Sequence, residues 1–115
     1  MLPDPVPQAR QAPQRKPGDK LVRPRDAATV IIVRRDGPKP RMLMGRRNKG
    51  HSFMPNLWVF PGGRIDRADF RAPAAHELRP EVQGLFDAHL APRRGRALAM
   101  AAIRETFEEA GLLLV

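Results

Sequence analysis

The chain has 115 residues and no cysteine, with 21 Lys and Arg against 12 Asp and Glu, for a formal net charge of +9. That length bounds it at one domain. The missing cysteine excludes a disulfide framework, thiolate chemistry and a zinc–cysteine site. No apolar run approaches the roughly 18 residues that span a bilayer, and the N-terminus has no apolar segment of an export signal. The expected location is the cytoplasm, with no membrane partner.

Residues 1–25 hold six of the thirteen prolines and no aromatic residue. Such a segment cannot bury enough surface to order itself and is expected to be a disordered Pro/Arg-rich tail. The folded domain is expected over residues 26–115. Ala27–Val33 is a β-branched apolar run, predicted as a strand buried on both faces. Asp36-Gly37-Pro38-Lys39-Pro40 is turn chemistry, so Arg41–Arg46 returns as a hairpin strand. Arg46-Arg47-Asn48-Lys49-Gly50-His51 is a basic loop; Arg46 and Arg47 suit substrate phosphates, and a solvated turn reads equally well. His51 alone makes no metal site. Leu57–Phe60 is a third strand, in which Trp58 is favoured as a core residue over a base-stacking one. It feeds Phe60-Pro61-Gly62-Gly63-Arg64, where two glycines permit a tight turn or close approach of a ligand.

Residues 70–96 are the least regular part. Pro80 suits the first position of a helix over Glu81–Leu90. Its apolar side is Val82, Leu85, Phe86 and His89, with His89 expected to pack. Gly84 weakens this helix by about 1 kcal/mol relative to Ala. The segment is either a lid or an outer wall. Pro92–Arg96 then leads into a long helix, Ala97–Ala110, with an alanine-rich start and Gly111 as a left-handed cap. The run Leu112–Val115 reads as the start of something to be buried, so the sequence is expected to be the N-terminal part of a domain.

On a helical wheel Met100, Ile103, Phe107 and Ala110 gather on one side, and Glu105, Glu108 and Glu109 on the other. Glu105 and Glu109 are one turn, about 6 Å, apart. Arg104 reaches Glu108 at i+4, but one Arg does not balance three acids, and the helix dipole disfavours acids in a last turn. A hard divalent ion held by a few carboxylates and substrate phosphates would offset the repulsion; a solvated acidic face is the alternative. Six of the net positive charges come from residues 34–49 and four from residues 1–25. A basic surface beside an acidic face suits a polyphosphate, and also suits nonspecific adhesion to nucleic acid.

The Gly-Gly segment and Arg104-Glu105-Thr106-Phe107-Glu108-Glu109-Ala110-Gly111-Leu112 together resemble the Nudix hydrolase signature. Gly63 takes the glycine position and Asp69 the first acidic position, as Asp in place of the usual Glu. Two departures stand out. The spacing from the first acid to the Arg, usually seven residues, is here 34 (70 to 103), and Thr106 replaces an aliphatic residue. The split box, with Phe-Met-Pro and Val-Phe-Pro-Gly-Gly ahead of it, is similar to the subgroup containing the peroxisomal coenzyme A diphosphatases.

The resemblance implies an α/β fold, a Nudix-type α/β/α sandwich with a mixed sheet, incomplete at the C-terminus. It implies a hydrolase that cleaves the diphosphate bond of a nucleoside diphosphate linked to another moiety, coenzyme A and its acyl derivatives among the substrates. Glu105, Glu108 and Glu109 are implied as ligands of Mg²⁺ or Mn²⁺, Glu105 also as a candidate base, and Arg104 as a brace for the carboxylates. Gly62 and Gly63 are implied to admit metal and phosphate, with Asp69 as a supporting acid. The implied partner is a small nucleotide. The rivals are a basic RNA- or polyanion-binding module, against which the lack of an aromatic-interleaved basic motif counts, and an inactive regulator that keeps the fold.

Overall fold

A computed structural model describes residues 16–21, 23–46 and 57–114. Of the expected tail, residues 1–15 and 22 lie outside the described residues; 16–21 and 23–25 are exposed and carry neither helix nor strand. Arg47 to Asn56, which include most of the basic loop, also lie outside them.

The strands are short: β1 (Ala27–Thr29), β2 (Val33–Arg34), β3 (Arg41–Met42), β4 (Gly45–Arg46), β5 (Trp58–Val59) and β6 (Gly62–Arg64). A 3₁₀ turn follows at Arg67–Phe70, then helices α1 (Pro80–Asp87) and α2 (Arg94–Ala110). All the described strands pair antiparallel, as β1 with β6, β2 with β3 and β4 with β5. The α/β class matches the expectation, whereas a mixed sheet is not seen among the described strands. A parallel pair needs a crossover, normally a helix between its strands, and both helices here follow the last described strand.

The run Ala27–Val33 is interrupted rather than continuous. Val30 donates its N–H to the Pro61 carbonyl (3.0 Å), and Ile32 accepts from the Leu43 N–H (3.1 Å), so one run serves two sheets. Ala28, Val30 and Ile32 are half-buried while Thr29, Ile31 and Val33 are exposed. The expectation of burial on both faces is therefore corrected: period-two alternation presents one face inward, and β1 lies against α2.

Helix α1 has Pro80 at its first position, as expected, but ends at Asp87. Ala88 and Leu90 close the turn by donating to Gly84 and Phe86 carbonyls. Leu85 and His89 are exposed, against the expected apolar face. Phe86 packs against α2 at Gly95, where there is no room for a side chain. Helix α2 begins at Arg94, three residues earlier than expected, after Arg93 in a left-handed conformation (φ 67°). Gly111 caps it as predicted, with φ 70° and its N–H donated to the Phe107 carbonyl at 2.8 Å.

The expected core stripe of α2 is also corrected. Its buried residues are Gly95, Ala97, Ala101 and Thr106, whereas Phe107 is 53% exposed and Ala110 is exposed. The wheel assumes one covered side, but α2 is met by α1, β1, β6 and the 3₁₀ turn, so coverage moves around the helix along its length. Thr106 is fully buried because its hydroxyl donates to the Ala102 carbonyl one turn back (2.7 Å). A hydroxyl satisfied within its own helix is tolerated where an aliphatic side chain is the rule.

Candidate active site

The site is assembled where the last turns of α2 lie against β6 and the 3₁₀ turn. That turn is fixed by a capping box. The Asp66 carboxylate accepts the Ala68 N–H (3.0 Å), and the Asp69 carboxylate accepts the Asp66 N–H (2.7 Å). This buries Asp69, 2% exposed, with its carboxylate aimed at α2. The Asp66-x-x-Asp69 spacing was the available sequence signal for Asp66, which the resemblance does not mark.

Arg104 answers it. Its Nε donates to Asp69 Oδ1 and its Nη2 to Asp69 Oδ2, both at 3.0 Å, a bidentate fork. Nη2 also donates to the Arg64 carbonyl on β6 (3.0 Å), a partner with no sequence signal. Nη1 turns the other way, to Glu105 Oε1 (2.9 Å) and Glu108 Oε2 (3.4 Å). One planar guanidinium thus joins the turn, the strand and two carboxylates of α2, a geometry Lys lacks. The bonds from Arg104 hold the Asp69 carboxyl below its ordinary value of 3.8. The same bonds, to Asp69 first and then Glu105, raise Arg104, so both stay charged at neutral pH.

The glycines meet the remaining acids. The Gly62 N–H points to Glu109 Oε2 at 3.3 Å. A Cβ on Gly63 would overlap the Glu105 carboxylate and stand 2.8 Å from its Cγ. Gly62 is constrained from the other side, since a Cβ there would strike the Ala28 backbone of β1. Glu108 and Glu109 are exposed, the Glu108 side chain 56% so.

The structure therefore brings together Gly62, Gly63, Asp69, Arg104, Glu105, Glu108 and Glu109. It does not join Arg46 to them: Arg46 is exposed on β4, in a sheet separate from β1–β6. Arg47 lies outside the described residues. Trp58, favoured for the core, is 64% exposed.

The donor set is all oxygen and anionic, which suits a hard divalent cation over a soft one. Among the described residues no three acid or histidine side chains converge as a ready-made cage. Mg²⁺ does not require one, since it commonly takes one or two carboxylates and completes its shell with water and phosphate oxygens. The residues present fit such an ion.

A NUDIX domain matches residues 23–115. The chain is similar to the acyl-coenzyme A diphosphatase NUDT19 of Gallus gallus, 36% identical over 122 residues, covering 79% of this chain and 32% of that protein. It is similar to the protein of the same name from Xenopus laevis, 34% identical over 96 residues, covering 64% and 25%. The chain thus spans about a third or less of the length of these relatives. A crystal structure of a NUDIX hydrolase from Alicyclobacillus acidocaldarius superposes with a TM-score of 0.58 at 32% identity, over 83% of this chain and 40% of that one. With the domain match covering most of its length and the two halves of the motif meeting at Arg104, the chain belongs to the Nudix hydrolase family.

Proposed function

We propose that the protein hydrolyses the diphosphate bond of a nucleoside diphosphate linked to another moiety, with coenzyme A and acyl-coenzyme A as the foremost substrates, in the presence of Mg²⁺ or Mn²⁺. The observation that carries the proposal is the Arg104 fork, which sets the acids of α2 against the Gly62–Gly63 strand across a 34-residue interval. The relatives named as acyl-coenzyme A diphosphatases support the choice of substrate.

Phosphoryl chemistry asks mainly for charge neutralisation and in-line positioning. One or two of Glu105, Glu108 and Glu109 would hold the metal, which would supply positive charge to the diphosphate oxygens and lower the pKa of a bound water. Glu105, whose side chain lies against Gly63, is the candidate to take the proton of the attacking water. The water oxygen bonds to phosphorus as the bridging P–O bond breaks, and the leaving phosphate carries away the electron pair. Gly62 and Gly63 let the β1 backbone and the Glu105 side chain lie directly against the strand, which sets the acid face for the diphosphate. Arg104 holds Glu105 and Glu108 in place, and Asp69 holds Arg104. A cytoplasmic location belongs to the same reading; among the described residues no helix is long and apolar enough to cross a membrane.

The test is hydrolysis of coenzyme A, ADP-ribose, NADH and nucleoside triphosphates, with and without Mg²⁺ or Mn²⁺, beside a Glu108→Gln, Glu109→Gln double variant. Metal-dependent release of 3′,5′-ADP or a nucleoside monophosphate, abolished in the variant, supports the reading and names the substrate. Equal inertness of parent and variant, with RNA binding that weakens steeply in salt, transfers the function to the basic surface.

A further inference from the structure

We infer that the β4–β5 ribbon carries a nucleotide-recognition platform, with Trp58 stacking the purine and Arg46 holding a phosphate of the same nucleotide. The inference rests on the hydrolase reading for its substrate and names the end of that substrate the acid face leaves unbound. Arg46 and Trp58 are direct partners in the antiparallel register. Directly opposed residues project from one face of a ribbon with Cβ atoms about 5 Å apart. Both side chains are exposed, and Trp58 is 64% so. Among the described residues Arg46 meets no carboxylate, and residues 47–56, which join the two strands, contain no acid.

An exposed indole beside a guanidinium that meets no carboxylate among the described residues is a poor arrangement for a solvated surface and a good one for a nucleotide. The indole offers a face to a base, and the cation takes the charge attached to it. The placement also suits the reaction. Trp58 precedes Gly62 by four residues, so their Cα atoms are at most about 14 Å apart. Gly62 is in turn in contact with Glu109. An extended nucleoside diphosphate covers such a span from base to terminal phosphate, so one substrate can rest its base on Trp58 and its scissile bond at the acid face.

Trp58 is the single tryptophan of the chain, so its fluorescence reads the platform directly. The protein is titrated with AMP, 3′,5′-ADP, adenosine and pyrophosphate. AMP and 3′,5′-ADP are expected to quench it saturably and pyrophosphate to leave it unchanged; tighter binding of 3′,5′-ADP marks a coenzyme A substrate. Arg46→Ala is expected to weaken AMP at least about fivefold while leaving adenosine unchanged. Trp58→Ala is expected to raise KM for the diphosphate substrate about fivefold or more at constant kcat. Trp58→Phe restores most of the loss, and Tm does not move in either.

Hydrolysis without nucleotide-dependent quenching overturns the platform and leaves the hydrolase reading standing. A Trp58→Ala variant that loses Tm and kcat together also overturns it, since that is the signature of a covered structural residue. Saturable quenching by AMP in a protein that hydrolyses nothing supports the platform and removes the hydrolase reading.

Discussion

Arg104 is the residue on which the candidate site turns, and Asp69 is what fixes Arg104. A bidentate pair with one partner buried and the other 31% exposed is costly to break from either side, because the survivor is left charged and poorly solvated. Asp69→Asn is expected to lower stability by about 2–3 kcal/mol, read by urea denaturation. The same pair sets an acid limit. A carboxyl whose folded pKa is depressed contributes stability that is complete above its unfolded value and lost as pH falls through the folded one. Wild-type stability should therefore decline below about pH 4, and Asp69→Asn should flatten that decline; an unchanged acid limb would remove Asp69 from this role. Adjacent glycines separate structure from activity. Gly62→Ala drives backbone against the Ala28 backbone, costing about 1–3 kcal/mol of stability. Gly63→Ala meets the Glu105 side chain from its carboxylate to Cγ, a flexible group that can swing aside, so Tm should hold while kcat falls about 100-fold from the misplaced carboxylate.

Within one helix the sequence was readable. The Arg104–Glu108 contact followed from i,i+4 spacing and the Gly111 cap from residue type. The Arg104–Asp69 pair, 35 positions apart, was visible only through the family likeness, because no local rule predicts which loop returns to a helix. Trp58 was misassigned for a related reason: alternation tells which residues share a face but not which face another element covers. The segment 70–96 is held at its far end by Arg96. That side chain donates to the Ala72 carbonyl (2.7 Å) and to both oxygens of Glu77 (2.7 and 3.1 Å), while Phe86 closes on Gly95. Glu77 is exposed, so the carbonyl bond carries most of the energy. Arg96→Ala should cost about 1–1.5 kcal/mol and raise amide exchange across residues 73–92, with kcat changed less than tenfold. A larger loss of kcat would make the segment a lid; a smaller one would make it a wall in which α1 packs against α2.

Across the whole molecule, charge and burial are both unevenly shared. The net charge of +9 resides in residues 1–49, and the remaining residues balance to zero, eight cations against eight anions. Among the described residues the buried apolar side chains are small, Ala97, Ala101 and Pro61, while Ile31, Met42, Trp58, Leu85, Phe107 and Leu113 are exposed. The 115-residue chain by itself is therefore expected to bind ANS and to unfold over a broad range with a small urea m-value. A sharp transition without ANS binding would contradict this account of its surface. Sheet pairing was the least legible level, because register depends on partners distant in the chain and these strands are only two or three residues long.

The two feet of the 70–96 segment stand side by side, Ala72 bonded to Arg96, and this frees the motif from its own spacing. Closing a loop costs only about 0.6 kcal/mol for each doubling of its length. Once the feet are fixed, the interval between Asp69 and Arg104 can lengthen or shorten with little thermodynamic resistance. A search that demands a fixed interval is blind to chains of this kind, whereas one that asks for two anchored half-motifs would find them. The same feet mark the exposed residues 73–76, which lie between Ala72 and Glu77 and precede α1, as a graft point, where a reporter or a foreign loop can be spliced in without disturbing Arg104.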